Sequence, residues 1–358
     1  MSTKCNILPI VYPPINGFSH QGALFSILLA REECKPWIFS NFIQTYSLKD
    51  LYKNTSRSGT VDFFYNIYGD WKYFHYKANP WIRFSSIPLD YLQLLKFDAV
   101  DFLKICIDRN MYVTFDIDTF YISTYEFYQN THEKHEIFIY GYDDEMKMFY
   151  VGDNMKNGKY CQELVPYDEI NDGISQMYEF DKKNNLFWRE KQISMLEVTQ
   201  NTEASGKDPL FIQEILGLNI KKIVNDIKEY LLIDKYSSGY SYSNFYVFGI
   251  ECYDELIKYA IYAKETEVSA DIRGFYSFYM HKKLMLLRLE FLNNDYELSE
   301  IIKEYDILVR KFDVLILLLV KAKMKKENRL LEKVAEILKD SKEYEVHLLN
   351  NLIKCLDN

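Results

Sequence analysis

The feature that most constrains this chain is a pair of strand-like segments joined by a short acidic turn. The first segment runs from His135 to Tyr142 and the second from Met148 to Asp153, with residues 143–145 forming the turn. Both segments are rich in β-branched and aromatic residues, and so short a connection favours an antiparallel hairpin. The hairpin places one histidine and one aspartate on neighbouring strands.

The flanking sequence predicts an α+β fold with two lobes around an antiparallel sheet. Apolar spacing typical of helices appears first, and strand-like alternation begins near residue 111. The helical segments are predicted at 21–30, 89–108 and 167–174, and the further strands at 111–118, 158–164 and 186–198. A helical front followed by a sheet leaves room for a cleft between the two lobes.

A polar stretch, Thr199 to Pro209, separates this part from an entirely helical remainder. We therefore predict two domains, one over residues 1–200 and an all-α helical bundle over residues 201–358. The bundle helices are predicted from apolar residues at three- and four-residue steps, at 212–233, 245–266, 272–292, 297–321 and 328–356. No strict internal repeat is present, which favours an irregular bundle over a solenoid.

Composition and charge narrow the class of protein. The net charge of −9 and the pI near 5.4 argue against a nucleic-acid partner, which usually requires a basic surface. The six cysteines are dispersed without a metal or disulfide pattern, as is typical of a reducing compartment. The longest apolar run, Val314 to Val320, is too short for a membrane span. We expect a cytoplasmic protein with no membrane association.

Far upstream of the hairpin, the segment Gly17 to Leu24 opens a helix, with Ser19 at its start. A nucleophile at a helix N-terminus, followed by His and then Asp on adjacent strands, is the order found in papain-like acyl-transfer sites. The predicted catalytic set is therefore Ser19, His135 and Asp153, with His135 as base and Asp153 as the carboxylate that orients it. Ser19 has a second interpretation as the helix N-cap.

Two residues beside Ser19, His20 and Gln21, are predicted to bind substrate. His20 either projects toward the reacting group or is solvated in the first helical turn. No cysteine stands at the helix start, so an acyl-enzyme would have to form on serine, a weak nucleophile that depends on a well-aligned base.

Other patterns have weaker functional interpretations. The pair His132 and His135 has a metal-ligand spacing, but no further ligand completes a zinc set, so no metal is expected. Asp116 and Asp118 form either an acid pair or a strand-end turn. The basic run at residues 321–326 either meets an acidic carrier protein or is a solvated helix end. No phosphate-binding glycine motif is present.

Four segments of the sequence together resemble one family. The segments Gly17–Leu24, Pro36–Phe42, His135–Tyr142 and Phe149–Asp153 are similar to proteins related to butirosin biosynthesis protein H. The resemblance covers roughly residues 8–200 and implies a papain-like fold. The family includes acyltransferases of natural-product assembly, such as the transacylases of closthioamide-type pathways.

The resemblance implies an enzyme that moves an acyl group from a carrier-protein thioester to a small amine. His135 matches the family's base, Asp153 the orienting acid, and the nucleophile position falls near Ser19. Phosphopantetheine would enter only as part of the carrier protein, and no resident cofactor is implied. Three explanations of the missing cysteine stay open: serine replaces it, the alignment of the first helix is shifted, or covalent catalysis has been lost. The alternative functions are a catalytically silent binding or scaffold protein and a leader-peptide peptidase.

Overall fold

A computed structural model of the chain describes residues 4–50, 52–53, 61–63, 76, 79–184, 192–199, 216–232 and 245–357. The chain divides into two compact units. The first comprises Met1–Lys35 and Gly69–Ile212, and the second comprises Pro36–Tyr68 and Gln213–Asn358.

The predicted division at residue 200 differs from these units in one segment. Residues 36–68 group with the C-terminal unit, although the sequence division assigned them to the first domain. Side chains of the second unit bind the backbone of this segment: Arg288 donates to the carbonyl groups of Phe39 and Phe42, and His281 lies 2.8 Å from the carbonyl oxygen of Ile43. Most of the predicted boundary, residues 200–209, lies outside the described residues.

The first unit contains a seven-stranded sheet in which every pairing is antiparallel. The strand order is β4-β9-β5-β6-β7-β8, and β1 pairs with the last residues of β6. The strands are β1 (Cys5–Ile7), β4 (Ile82–Pro88), β5 (Met111–Asp118), β6 (Lys134–Asp143), β7 (Met148–Asn154), β8 (Tyr160–Pro166) and β9 (Gln192–Val198). The predicted hairpin is therefore β6 and β7. In the sheet it lies between β5 on one side and β8 on the other.

Helices cover both faces of this sheet. They are α1 (Ser19–Leu29), α3 (Asp90–Leu94), α4 (Ala99–Asp108) and α5 (Tyr167–Asn184). Gly22 of α1 lies against the ring of Tyr160 on β8, which fixes α1 on one face. Gly173 of α5 lies against Ile117 of β5. Ile117 and Tyr160 point to opposite faces of the sheet, as the alternation of side chains across the paired strands β5, β6, β7 and β8 requires. Helix α5 therefore lies on the face opposite α1.

The single helix predicted over residues 89–108 is wrong, because the structure has two helices there. Lys96 adopts a left-handed conformation with φ 52° after α3. The side chain of Asp98 then accepts a hydrogen bond from the backbone N–H of Asp101 and caps α4. A cap and a left-handed residue between two apolar segments end one helix and begin another.

The second unit is mainly helical. Its helices are α2 (Lys35–Ser40), which starts at the last residue of the first unit's N-terminal segment, α6 (Ile220–Leu231), α7 (Cys252–Glu265), α8 (Arg273–Leu292), α9 (Ser299–Lys325) and α10 (Leu330–Leu356). A three-stranded antiparallel sheet in the order β10-β2-β3 accompanies them, formed by β2 (Thr45–Leu48), β3 (Asp62–Phe63) and β10 (Tyr246–Phe248).

The mixed α+β class is confirmed by this architecture. Within the described ranges, no helix is both long enough and apolar enough to cross a bilayer.

Candidate active site

The structure brings His135 and Asp153 into direct contact. Nδ1 of His135 lies 2.7 Å from Oδ2 of Asp153. The aspartate side chain is completely buried, whereas 35% of the histidine side chain is exposed. The carboxylate is thus held inside the protein while the imidazole reaches the surface, which is the relationship expected of a base and its orienting acid.

The register of the central strands creates this contact. Phe138 pairs with Gly152 on the neighbouring strand, so the continuing ladder puts Ile137 level with Asp153. His135 is two residues from Ile137 and therefore lies on the same face of the sheet. A diagonal neighbour of this kind is within reach of a long or aromatic side chain.

Tyr125 completes the surroundings of the carboxylate. Its hydroxyl donates a hydrogen bond to Oδ2 of Asp153, the same oxygen that His135 contacts. The other oxygen, Oδ1, accepts a hydrogen bond from the backbone N–H of Asn154 at 2.6 Å. Both oxygens of the buried carboxylate are satisfied, which meets the main cost of burying a charge.

This environment changes the acidity of His135. Burial opposes protonation of the ring, but the charge of Asp153, its hydrogen bond and the carbonyl group of Glu136 outweigh burial and raise the pKa of His135 from 6.5 to about 9. At neutral pH the His135 imidazole is therefore mostly protonated.

The same geometry fixes the roles of the two ring nitrogens. Nδ1 faces Asp153 and the carbonyl oxygen of Glu136, 3.0 Å away, and so it carries a proton in either charge state. Nε2 makes no hydrogen bond within the described part of the chain. It is the nitrogen left to exchange a proton with a substrate, as a general base or, when protonated, as a general acid.

Ser19 is not joined to this pair. It is the first residue of α1, and no hydrogen bond connects it to His135 or Asp153 among the residues that the structure describes. Strand alternation turns Gly152 toward the ring of Tyr160 and the next residue, Asp153, toward the other face of the sheet. Of the three predicted catalytic residues, the structure brings His135 and Asp153 into contact.

The alternative prediction that Ser19 is the N-cap of α1 is wrong, because the N-cap lies one residue earlier. Phe18 occupies the N-cap and makes no side-chain capping hydrogen bond. The two predicted substrate-binding residues follow in the first turn of the same helix. The His20 ring stacks on Phe18 with centroids 5.6 Å apart, and Gln21 is buried.

The two other acidic positions singled out in the sequence have separate partners. Oδ2 of Asp118 lies 2.7 Å from Nδ1 of His132, and Asp116 forms an ion pair with Lys134 at 3.2 Å. The imidazole of His132 also stacks on Phe120, with centroids 4.1 Å apart. In the described ranges, no three histidine, cysteine or acidic side chains are grouped to hold a metal ion.

Cysteine does not supply a reactive thiolate near the pair. Cys161 is the closest in register, since it pairs with Asp153 across β7 and β8, and its Sγ lies 3.8 Å from the carbonyl oxygen of Asp153. Burial raises the pKa of this thiol, with nearby carboxylates adding to the effect. Burial likewise raises the pKa of Cys34 and Cys106 to about 12.

Tyr125 is the site residue that the sequence did not reveal. It lies in the connection between β5 and β6, among several other tyrosines and phenylalanines that look alike in sequence. Only a contact with a carboxylate 28 residues away distinguishes it.

Comparison of the chain with protein-family models and with curated proteins gives no match.

Proposed function

We propose that this protein is an acyltransferase with a papain-like first unit, which moves an acyl group from a carrier-protein thioester to a small amine. The single observation that carries the proposal is the contact between His135 and the buried Asp153. A carboxylate that fixes the Nδ1 proton and leaves Nε2 available is the arrangement of a base in acyl transfer.

No hydrogen bond joins Ser19 to the pair among the described residues, and we therefore favour direct transfer over a covalent intermediate. The acceptor amine attacks the thioester carbonyl carbon and forms the new C–N bond, while Nε2 of His135 takes the proton that the nitrogen loses. The tetrahedral intermediate then collapses, the C–S bond breaks, and the imidazolium returns the proton to the leaving thiolate. The two steps balance, and they need neither a nucleophilic side chain nor a cofactor.

The proposal carries a specific pH dependence. Because Asp153 raises the pKa of His135 to about 9, the base is mostly protonated at neutral pH. Activity should therefore increase as the pH rises from 7 toward 9, in parallel with deprotonation of Nε2.

The test is turnover of short acyl thioesters of pantetheine with primary amines. His135→Ala should reduce the rate by at least a hundredfold, in keeping with the loss of a general base. Its matched control is His347→Ala, because His347 lies in α10 of the second unit, where its exposed ring forms a hydrogen bond with Asn351. Full activity of His135→Ala would contradict the proposal, provided that circular dichroism shows both variants folded.

Ser19→Ala separates direct transfer from the covalent route. We expect this variant to keep its activity and intact-mass spectra of the wild type to show no acyl adduct. An adduct that disappears in Ser19→Ala would replace direct transfer with an acyl-enzyme mechanism.

A catalytically silent binding protein is the second candidate, and one observation favours it. The pair carries a protonated imidazole at neutral pH, which suits recognition of an anionic group as well as proton transfer. Saturable binding of acyl-pantetheine without turnover at any pH between 6 and 10 would support this alternative.

A further inference from the structure

The long helix α9 of the second unit has two apolar faces. One face packs into the unit through Tyr305, Leu308, Val309, Phe312, Leu315, Leu319 and Ala322. Five large apolar residues of α9 are exposed. Four lie on the other face and are here called the outer stripe: Ile307 (49% exposed), Val314 (51%), Leu317 (68%) and Met324 (80%). The fifth, Val320 (38%), lies between the two faces and is not part of the stripe. On a helix with 3.6 residues per turn, the two sets lie on opposite sides.

The outer stripe has the spacing of a coiled-coil seam. Its members follow one another at steps of seven, three and seven residues, so they occupy four of the six a/d positions of one heptad register. The other two seam positions are Arg310 and Lys321. A surface helix of a globular protein normally has one apolar face, and a second group of large exposed apolar residues indicates an interaction site.

The stripe is also symmetric about its own centre. Ile307 and Met324 are equally far from the point between Leu315 and Ile316, and so are Val314 and Leu317. A two-fold axis through that point would place an antiparallel second copy of the helix with Ile307 against Met324 and Val314 against Leu317. A two-fold interface requires this self-complementarity. If residue i of one copy contacts residue j of the other, then residue j of the first copy contacts residue i of the second.

Charge along α9 favours the same orientation. The first two turns carry Glu300, Glu304 and Asp306 against one cation, Lys303. The other end carries only cations, at Lys321, Lys323, Lys325 and Lys326. Antiparallel pairing brings the acidic end of one copy to the basic end of the other, and it sets Asp306 opposite Lys325. Parallel pairing would bring like charges together.

Two positions of the seam oppose this pairing. The same symmetry sets Arg310 opposite Lys321, and the two-fold axis repeats this contact between two cations. Arg310 already forms an ion pair with Asp306 at 2.7 Å, so its charge is compensated within the helix. The resulting interface is one helix pair wide, and we expect a dimer of moderate affinity rather than a permanent one.

We propose that the outer stripe of α9 is a homodimer interface in which two copies of the chain pair their α9 helices antiparallel. The proposal is independent of the acyl-transfer reaction, because α9 belongs to the second unit and the histidine–aspartate pair to the first.

Disulfide trapping tests the pairing and its direction together. The full-length chain is first given Cys5→Ser and Cys355→Ser, since both of these cysteines are exposed. A mixture of an Ile307→Cys protein and a differently tagged Met324→Cys protein should form a mixed disulfide on mild oxidation. The Ile307→Cys protein alone should not cross-link, because antiparallel pairing puts its two copies about 25 Å apart along the helix.

Sedimentation velocity supplies the second readout. The wild type should show a monomer–dimer equilibrium, and Leu317→Asp should weaken the dimer at least tenfold. The matched control is Leu94→Asp in α3, which changes an equally exposed leucine of the first unit and should leave the dimer intact.

Three results would overturn the proposal. They are a monomeric wild type at several hundred micromolar, cross-linking of Ile307→Cys with itself, and a dimer that survives Leu317→Asp. Binding of the monomer to anionic vesicles that is lost in Leu317→Asp would instead assign the stripe to a membrane surface.

Discussion

His135 contacts Asp153 just beyond the point where Phe138 of β6 pairs with Gly152 of β7. Continued by one residue, this register sets Ile137 opposite Asp153 and His135 on the diagonal. The contact therefore depends on the register of β6 against β7, whose irregularity lies on the far side of Phe138, between Ile139 and Gly141.

Removing the Tyr125 hydroxyl should destabilise the first unit. Tyr125→Phe leaves Oδ2 of Asp153 with one donor fewer in a fully buried position, and we expect a loss of about 1–3 kcal/mol in the free energy of unfolding. The control is Tyr128→Phe, because Tyr128 is exposed and its hydroxyl accepts a hydrogen bond from the side chain of Gln129. Equal stability of the two variants in urea titrations would contradict this role of Tyr125.

A methyl group at Gly152 should clash with Tyr160. A Cβ atom there would overlap the tyrosine hydroxyl, and we expect Gly152→Ala to cost about 1–3 kcal/mol. Since the hydroxyl is the overlapping atom, adding Tyr160→Phe should restore part of the loss, although it also removes the contact with Ser26. A double-mutant cycle measures this coupling, and strict additivity of the two changes would show that the contact is not tight.

The second unit should depend on a buried ion pair. Nζ of Lys282 lies 2.7 Å from Oε2 of Glu345, and both side chains are fully buried. Removing one partner leaves an uncompensated charge, so Glu345→Leu should cost about 3–5 kcal/mol. The control is Lys342→Met, which removes a partly exposed pair with Asp254 and should cost less than about 1 kcal/mol. Similar losses in the two variants would contradict the difference that burial predicts.

The same cluster offers a double variant as a second test. Adding Lys282→Met to Glu345→Leu removes the stranded amine, so the double variant should be more stable than Glu345→Leu alone. Recovery of stability should remain incomplete, because the hydroxyl groups of Tyr253 and Tyr305 then lose the carboxylate to which they donate hydrogen bonds.

Much of the fold was predictable because its signals are local. The alternation at residues 111–118 and 135–142, with the acidic turn after it, predicts β5, β6 and the hairpin to β7, and the structure has all three. The strand predicted at 158–164 is also present, as Tyr160–Pro166. The helix predicted at 167–174 is present but continues to Asn184.

What the sequence could not reveal depends on long-range geometry. The residue types His135 and Asp153 were predictable, and strand pairing makes their contact plausible. Which face of the sheet they share, relative to α1, was not predictable. It depends on where α1 docks, and α1 docks where Gly22 and Gly152 lie against Tyr160. The absence of a hydrogen bond between Ser19 and the pair, within the described part of the chain, could not be read from the sequence either.

Folding should couple to the protonation of His135. Its pKa is raised from 6.5 to about 9 in the folded protein, so the folded state holds a proton more tightly than the unfolded chain. The stabilisation is complete below pH 6.5 and is lost as the pH rises to about 9. The difference in unfolding free energy between the wild type and His135→Gln should shrink across that window, measured by hydrogen exchange of amides in β6 and β7. A difference independent of pH would contradict the coupling.

The most direct test of the central claim is an NMR titration of the His135 ring, assigned by its absence in His135→Gln. In the wild type we expect a pKa of about 9, because the charge of Asp153 stabilises the protonated imidazole. In Asp153→Asn the charge is gone and burial dominates, so the pKa should fall below 6.5. A His135 pKa near 6.5 in both proteins would show that the pair does not form and would remove the basis of the proposed acyl transfer.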